Sequence, residues 1–357
     1  MTAEHLPRPR SRLYRLGIFI ASLFLFTLSL YLMKIGARAL APYIREVFRV
    51  TNPANALGFG WLFAYIVLSG SPAAAAALTF LDAGVIDAAS TFAMITGSRI
   101  GASMLVLLFG YVYVLRGHDR MASLTMGLQS LLITGSSYFV GLPLGLWLLN
   151  SGFLSVIHAE GSLQSSGILD TIFMPIVTLV TGVLPTWMVF LAGLGMVVLT
   201  FNLFDKVLPE VSLSQDSVFG GIARQPYRPI VIFLLGIAVT SLTMSVSVSL
   251  GILVPLSARG YVRRENALPY IMGCNVSTFV DTLIASMLIE NPLAFTVVLT
   301  QMLSMAAVSL LILILLIRPY QRVLLALVDG LLRRRWSLMV FLIIILLVPL
   351  GLILFVR

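Results

Sequence analysis

Nine polar side chains interrupt long apolar stretches at two places in the chain. Ser69, Ser71 and Arg99 form the first group; Ser245, Ser247, Asn275, Ser277, Thr278 and Asp281 form the second. Groups of these types suit ligand binding rather than bond breaking. Hydroxyls and amides donate to an anion or turn their oxygens on a hard cation, which prefers oxygen ligands. Ser71-Pro72 reads as an N-cap followed by proline at the first helical position, so AAAAALTF would begin a new half-helix inside an apolar run. A helix that begins there aims free N–H groups and the positive end of its dipole at one point, and an anion is the natural occupant.

Other chemistries lack residues to carry them. No HExxH, GxSxG or GxxxxGK[ST] motif is present, so hydrolytic and ATP-driven readings have no support and no enzyme is expected. His5, His118 and His158 fall in loops or tails, and Cys274 is the single cysteine, which rules out an intrachain disulfide and a cysteine metal cluster. An intramembrane aspartyl enzyme built on Asp82 and Asp281 would want a Tyr or Gly-x-Gly neighbour that neither has. Asp82 and Asp87, on either side of Gly84, read as solvated loop acids, and Glu290 as a loop residue before Asn291-Pro292. Gln129, Ser130, Gln301 and Ser304 read as helix-packing hydrogen bonders.

Arg99 admits two readings. At the membrane midplane it costs about 2.5–3.5 kcal/mol on insertion scales and calls for a partner or an anionic ligand; Asp281 is the residue that could pair with it. Alternatively it snorkels to an interface. The small hydroxyls likewise either meet a ligand or bond to their own backbone in a kinked helix.

The elements that position these residues are duplicated. Residues 60–103 and 236–279 align without a gap at an offset of 176 (236 − 60), pairing Gly60 with Gly236, Ser69 with Ser245, Ser71 with Ser247, Gly84 with Gly260, Ile95 with Ile271 and Gly97 with Gly273. Upstream, Pro53 pairs with Pro229. The shared positions are helix breakers and small hydroxyls, which a broken membrane helix requires and a plain lipid-facing helix does not.

Composition sets the medium. Of 357 residues 59% are hydrophobic and 10% charged, far outside the range of soluble domains, so the chain is expected to be an integral, multi-pass membrane protein. Uncharged runs fill 16–33, 50–81, 100–115, 121–157, 171–204, 229–258, 291–317 and 336–356, against the ~20 residues a helical span needs. The net charge of +9 comes mostly from arginines flanking these runs, which points to anionic lipid headgroups rather than nucleic acid. Residues 16–33 read as an uncleaved first span, 34–50 as an amphipathic interfacial helix, 56–82 as a re-entrant hairpin, and 85–115 as a span broken at Gly97–Gly101. The second half is expected to mirror this with a hairpin at 229–258, a basic tip at Arg259, Arg263 and Arg264, and a broken span at 266–289. Spans at 291–317 and 336–356 follow, with a basic interfacial helix at 318–335 between them. The divisions are thus 1–204 for the first repeat, 205–228 for a polar linker and 229–357 for the second.

On these residues the chain resembles the type II sodium/phosphate cotransporters and their bacterial relatives. That family's repeat spaces a glycine, a QSSS motif, a second glycine and a GANIGT motif. Here Gly60, Leu68-Ser69-Gly70-Ser71, Gly84 and Gly97-Ser98-Arg99-Ile100-Gly101-Ala102 keep the spacing, and Gly236, Met244-Ser245-Val246-Ser247, Gly260 and Gly273-Cys274-Asn275-Val276-Ser277-Thr278 keep it again. Similarity covers roughly 34–105 and 220–285. It implies an all-α polytopic fold of two inverted repeats, each with a re-entrant helical hairpin and a broken transmembrane helix, and alternating access at the repeat interface. It also implies a secondary active transporter of a small, phosphate-like anion in the cell (inner) membrane. No bound cofactor is expected; a coupling cation, Na+ or H+, and a homodimer are left open. The departures bear on the ligand: glutamine is replaced by Leu68 and Met244, the middle serine by Gly70 and Val246, and one asparagine by Arg99. They motivate the alternative of a non-transporting scaffold that binds lipid or a partner.

Overall fold

A computed structural model describes residues 12–48, 50–117, 119–153, 168–207, 228–251, 253, 264–289 and 291–356. Every regular element in it is helical. In chain order these are α1 Arg12–Pro42, α2 Pro53–Val67, α3 Gly70–Asp82, α4 Ala88–Leu115, α5 Arg120–Asn150, α6 Ile168–Val183, α7 Thr186–Val207, α8 Pro229–Thr243, α9 Val246–Gly251, α10 Arg264–Ser277, α11 Val280–Met287, α12 Pro292–Leu311, α13 Ile317–Arg333 and α14 Arg335–Phe355. Among the described residues six stretches are long and apolar enough to cross a membrane: Leu16–Val47, Ala88–Leu115, Ser123–Asn150, Thr186–Phe204, Pro292–Arg333 and Arg335–Phe355. The expected linker at 205–228 falls almost wholly outside the described residues, as do Gly260, the basic tip at Arg259 and Arg263, the three histidines and Glu290.

The site is positioned by two units built alike. In each, a proline-started helix of 15 residues (α2, α8) ends at a left-handed residue, and a new helix (α3, α9) begins two residues later. The left-handed residues are Leu68 (φ 53°) and Met244 (φ 48°), which occupy equivalent places in the duplication (244 − 68 = 176) and are the non-glycine residues of positive φ among those described. A side chain there costs about 1–2 kcal/mol, so each break is held by its surroundings rather than by local preference. The second unit shows how: Thr243 Oγ1 donates to Ser245 O (3.2 Å), Thr240 Oγ1 to Ser249 Oγ (2.9 Å), and Ser249 Oγ meets Tyr270 OH at 2.9 Å.

Both units then pack against the helix that follows through the same crossing. A side-chain carbon added at Gly60 would overlap the Met94 carbonyl, and one at Gly97 the Leu57 carbonyl. Gly236 and Gly273 stand in the same relation to the Tyr270 and Phe233 carbonyls. All four pairs obey the offset of 176. Small residues at a membrane helix crossing let backbones touch, so packing is gained without apolar side chains, which lipid would accommodate equally well.

That use of glycine corrects one expectation: α4 runs unbroken through Gly97–Gly101 for 28 residues, because these glycines serve contact with α2 rather than a break. The second counterpart is interrupted, at Thr278–Phe279 between α10 and α11, directly after the GCNVS segment. The N-cap of α3 is Ser69, not Ser71, and its side chain makes no capping bond. Nor is 34–50 a separate interfacial helix. α1 continues to Pro42 through Gly36, which packs on the Phe190 backbone, and Met33 and Ala37 are fully buried. Of the run 121–157, residues 121–150 lie in one helix, α5, while 171–204 divides between α6 and α7 at Leu184-Pro185. α12 passes through a π-helical turn (Ile312–Leu316) into α13, which buries Leu324, Val328 and Leu332 along one face.

Helix α3 lies at the centre. Gly70 and every residue from Pro72 to Leu81 are buried, as fits an alanine-rich helix that is apolar all round. Its far end is not solvated as expected: Lys34 Nζ lies 2.9 Å from Asp82 Oδ2, and Arg45 donates to the carbonyls of Gly84 and Val85. Asp87 caps α4 by accepting from Ser90 N (2.7 Å). Gln129 and Gln301 are packing residues, as expected. Gln301 Nε2 donates to Phe92 O, and Gln129 Nε2 to Arg264 O, so the helix after each unit is bonded to the opposite unit.

The crossings make a direct prediction. Gly97→Ala and Gly273→Ala should each destabilise the protein by about 1–3 kcal/mol, since backbone rather than a movable side chain stands in the way. Gly17→Ala, with nothing within 4 Å, should be neutral or slightly stabilising. Thermal unfolding of the purified protein in detergent reads all three.

Candidate functional site

The two units converge on one small cavity, about 40 Å³ of water-accessible space, enough for a few waters. Ser69, Gly70, Ser71, Arg99, Ala102 and Ser103 line it from the first unit, Ser245, Val246, Asn275 and Thr278 from the second, and Thr134 and Tyr138 from α5. Four pairs of lining residues are equivalent in the duplication: 69 with 245, 70 with 246, 99 with 275, and 102 with 278. Each unit therefore presents the same four positions to the same space. Six of the nine residues singled out from the sequence are on the wall.

The other three divide. Asp281 stands one side chain back, at 3.2 Å from Arg99 Nη2. Ser277 does not reach the cavity; its hydroxyl donates to Gly273 O and Cys274 O in its own helix. Ser247 falls within α9, but its side chain lies outside the described residues. Sequence reasoning missed Ser103, Thr134, Tyr138 and Thr282. The cluster Thr134-Gly135-Ser136-Ser137-Tyr138 inside a long apolar run was the available signal for two of them.

Arg99 does not snorkel. It is 6% exposed and is held from three sides. Nη1 donates to Ser71 Oγ (3.2 Å), Nη2 to Asp281 Oδ1 (3.2 Å) and to Thr282 Oγ1, and the guanidinium carbon lies 5.3 Å from the centre of the Phe279 ring, a cation–π contact. Thr282 passes the interaction on, since its hydroxyl and its N–H both donate to Asp281 Oδ1. Asp281 and Asp82 thus serve different basic partners. Asp82 is 11 residues along α3 from Ser71, about 16 Å at helical rise, so the two carboxylates do not form a dyad.

Across the cavity, Asn275 is fixed by α5. Thr134 Oγ1 donates to Asn275 Oδ1 (3.2 Å) and Tyr138 OH to Asn275 O (3.3 Å), while Tyr138 packs edge-on against Phe279. Three buried polar atoms of this constellation have no partner: Arg99 Nε, Asn275 Nδ2 and Asp281 Oδ2. Buried polar groups are nearly always satisfied, so such a cluster marks a place completed by something else. Arg99 and Asn275, the two on the cavity wall, are donors. An acceptor, and above all an anion, is the complement of that wall.

Compared with known protein families, with curated proteins and with solved structures, the chain finds no match.

The ion pair can be tested by itself. Asp281→Asn leaves a buried guanidinium without its counter-charge and should cost about 3–5 kcal/mol, whereas Arg99→Met combined with Asp281→Leu should recover most of that loss. A double-mutant cycle on unfolding temperature measures the difference.

Proposed function

We propose that the protein is a secondary transporter of a small anion, phosphate-like in charge and size, which binds between the two units and crosses by alternating access. The observation that carries this reading is the pair of buried donors without a protein partner, Arg99 Nε and Asn275 Nδ2, on residues at equivalent positions of a duplicated element that line one cavity. Paired discontinuous helices are the mark of transporters whose substrate lies at the repeat interface. The reading takes the units as inverted in the membrane and α2–α3 and α8–α9 as re-entrant hairpins, and it places the protein in the cell (inner) membrane. The motif spacing shared with sodium/phosphate cotransporters supports it. So does the N-terminal end of α3, where Ser69, Gly70 and Ser71 face the cavity beside a guanidinium, giving an anion both a helix end and a fixed charge.

Reconstitution into liposomes tests it, with labelled phosphate and sulfate as first probes. Charge-assisted hydrogen bonds contribute about 1.5–3 kcal/mol, so Arg99→Gln should weaken apparent affinity by about 10- to 100-fold. Asn275→Leu should cost about tenfold, and Arg264→Gln, in an exposed pair with Asp329, should change nothing measurable. Folded protein that carries no anion across the bilayer would favour the scaffold alternative.

A further inference from the structure

Equivalent positions 99 and 275 carry different chemistry, and the difference bears on what accompanies the anion. We propose that Arg99 is a built-in counter-cation, so that anion binding at this cavity requires no alkali cation. The proposal rests on the anion-transport reading and adds the ion requirement to it.

Among the described residues Arg99 is the one charged residue on the cavity wall, and its charge is permanent. A sodium ion would need hard oxygen donors, and the guanidinium already uses three of those around it, Asp281 Oδ2 being left without a partner on a residue off the cavity wall. Ser71 Oγ accepts from Nη1; Asp281 Oδ1 and Thr282 Oγ1 accept from Nη2. On the opposite side, Asn275 Oδ1 accepts from Thr134. A cation beside the guanidinium is repelled and an anion attracted, each by less than a bare charge would give because Asp281 offsets part of it. Asp281 neutralises Arg99 without competing for the ligand, since it contacts the guanidinium from outside the cavity wall. The anion therefore enters a pocket whose positive charge is covalently fixed, and the loaded site carries the anion's own charge.

The test uses the purified full chain, with inorganic phosphate and sulfate as probes. Their dissociation constants are measured in sodium gluconate and in N-methylglucamine gluconate. The proposal expects values equal within about twofold, and a loss of about tenfold or more without sodium overturns it. A second measurement removes the guanidinium. Arg99→Asn places at 99 the residue found at 275 and releases Ser71, Asp281 and Thr282, so the variant should gain a sodium-specific rise in unfolding temperature that the parent lacks. A parent protein already stabilised by sodium over N-methylglucamine overturns the proposal, whether or not the variant folds. A folded variant indifferent to sodium overturns the claim that the guanidinium occupies a cation's ligands. Binding of neither probe in either medium removes the transport reading itself, which separates that failure from a sodium requirement.

Discussion

A guanidinium taken out of water has to be matched by charge and hydrogen bonds or the fold fails, and the arrangement around Arg99 is the answer to that requirement. Its carboxylate partner is 182 residues away in sequence. The ion pair therefore joins α4 to α11, and Ser71 adds α3 to the same knot. Desolvation of such a pair costs several kcal/mol per ion, so it adds little to net stability. What it does is define register, because displacement of any one of the three helices would strand a charge.

The remainder of the architecture serves the same point. Leu68 and Met244 hold unfavourable backbone conformations so that two helices begin where the cavity is, and the glycine crossings of α2 on α4 and α8 on α10 keep those breaks in place. The largely buried, alanine-rich α3 carries wall residues at one end and is tied at the other to α1 by Lys34, while Arg45, in the π-helical turn after α1, holds the Gly84 and Val85 carbonyls just beyond it. Peripheral elements are attached more simply. Asn55 Nδ2 caps α14 by donating to Leu352 O and Val356 O, while α14 leaves Ile343, Ile344 and Leu347 exposed, as suits a helix facing hydrocarbon. Rigid contacts thus surround the site, where Arg99 Nε and Asn275 Nδ2 are left without partners.

Within the duplicated frame the two units have diverged where the chemistry is. The second holds its break with the Thr240–Ser249–Tyr270 hydroxyl network, whose equivalents in the first unit are Ala64, Ala73 and Met94, so the first unit relies on packing where the second uses hydrogen bonds. Position 99 is charged while 275 is an amide. A symmetric scaffold with an asymmetric pocket follows, and the asymmetry is what gives the cavity a sign.

The sequence by itself determined the helical, membrane-embedded class, the duplicated frame and its offset, and half of the cavity wall, because apolar run length, helix breakers and isolated polar residues are local properties. It also suggested Asp281 as the partner for Arg99, since a buried charge asks for an opposite one. The tertiary structure decided the rest. Whether Gly97–Gly101 breaks a helix or receives a neighbour's backbone depends on α2 being there, and whether Lys34 begins an interfacial segment depends on Asp82 lying within reach. Thr134 and Tyr138 joined the site only because α5 packs across α10, and Ser277 left it because of which way its helix faces. Each of these outcomes turns on contacts between residues far apart in the chain, which no local pattern encodes.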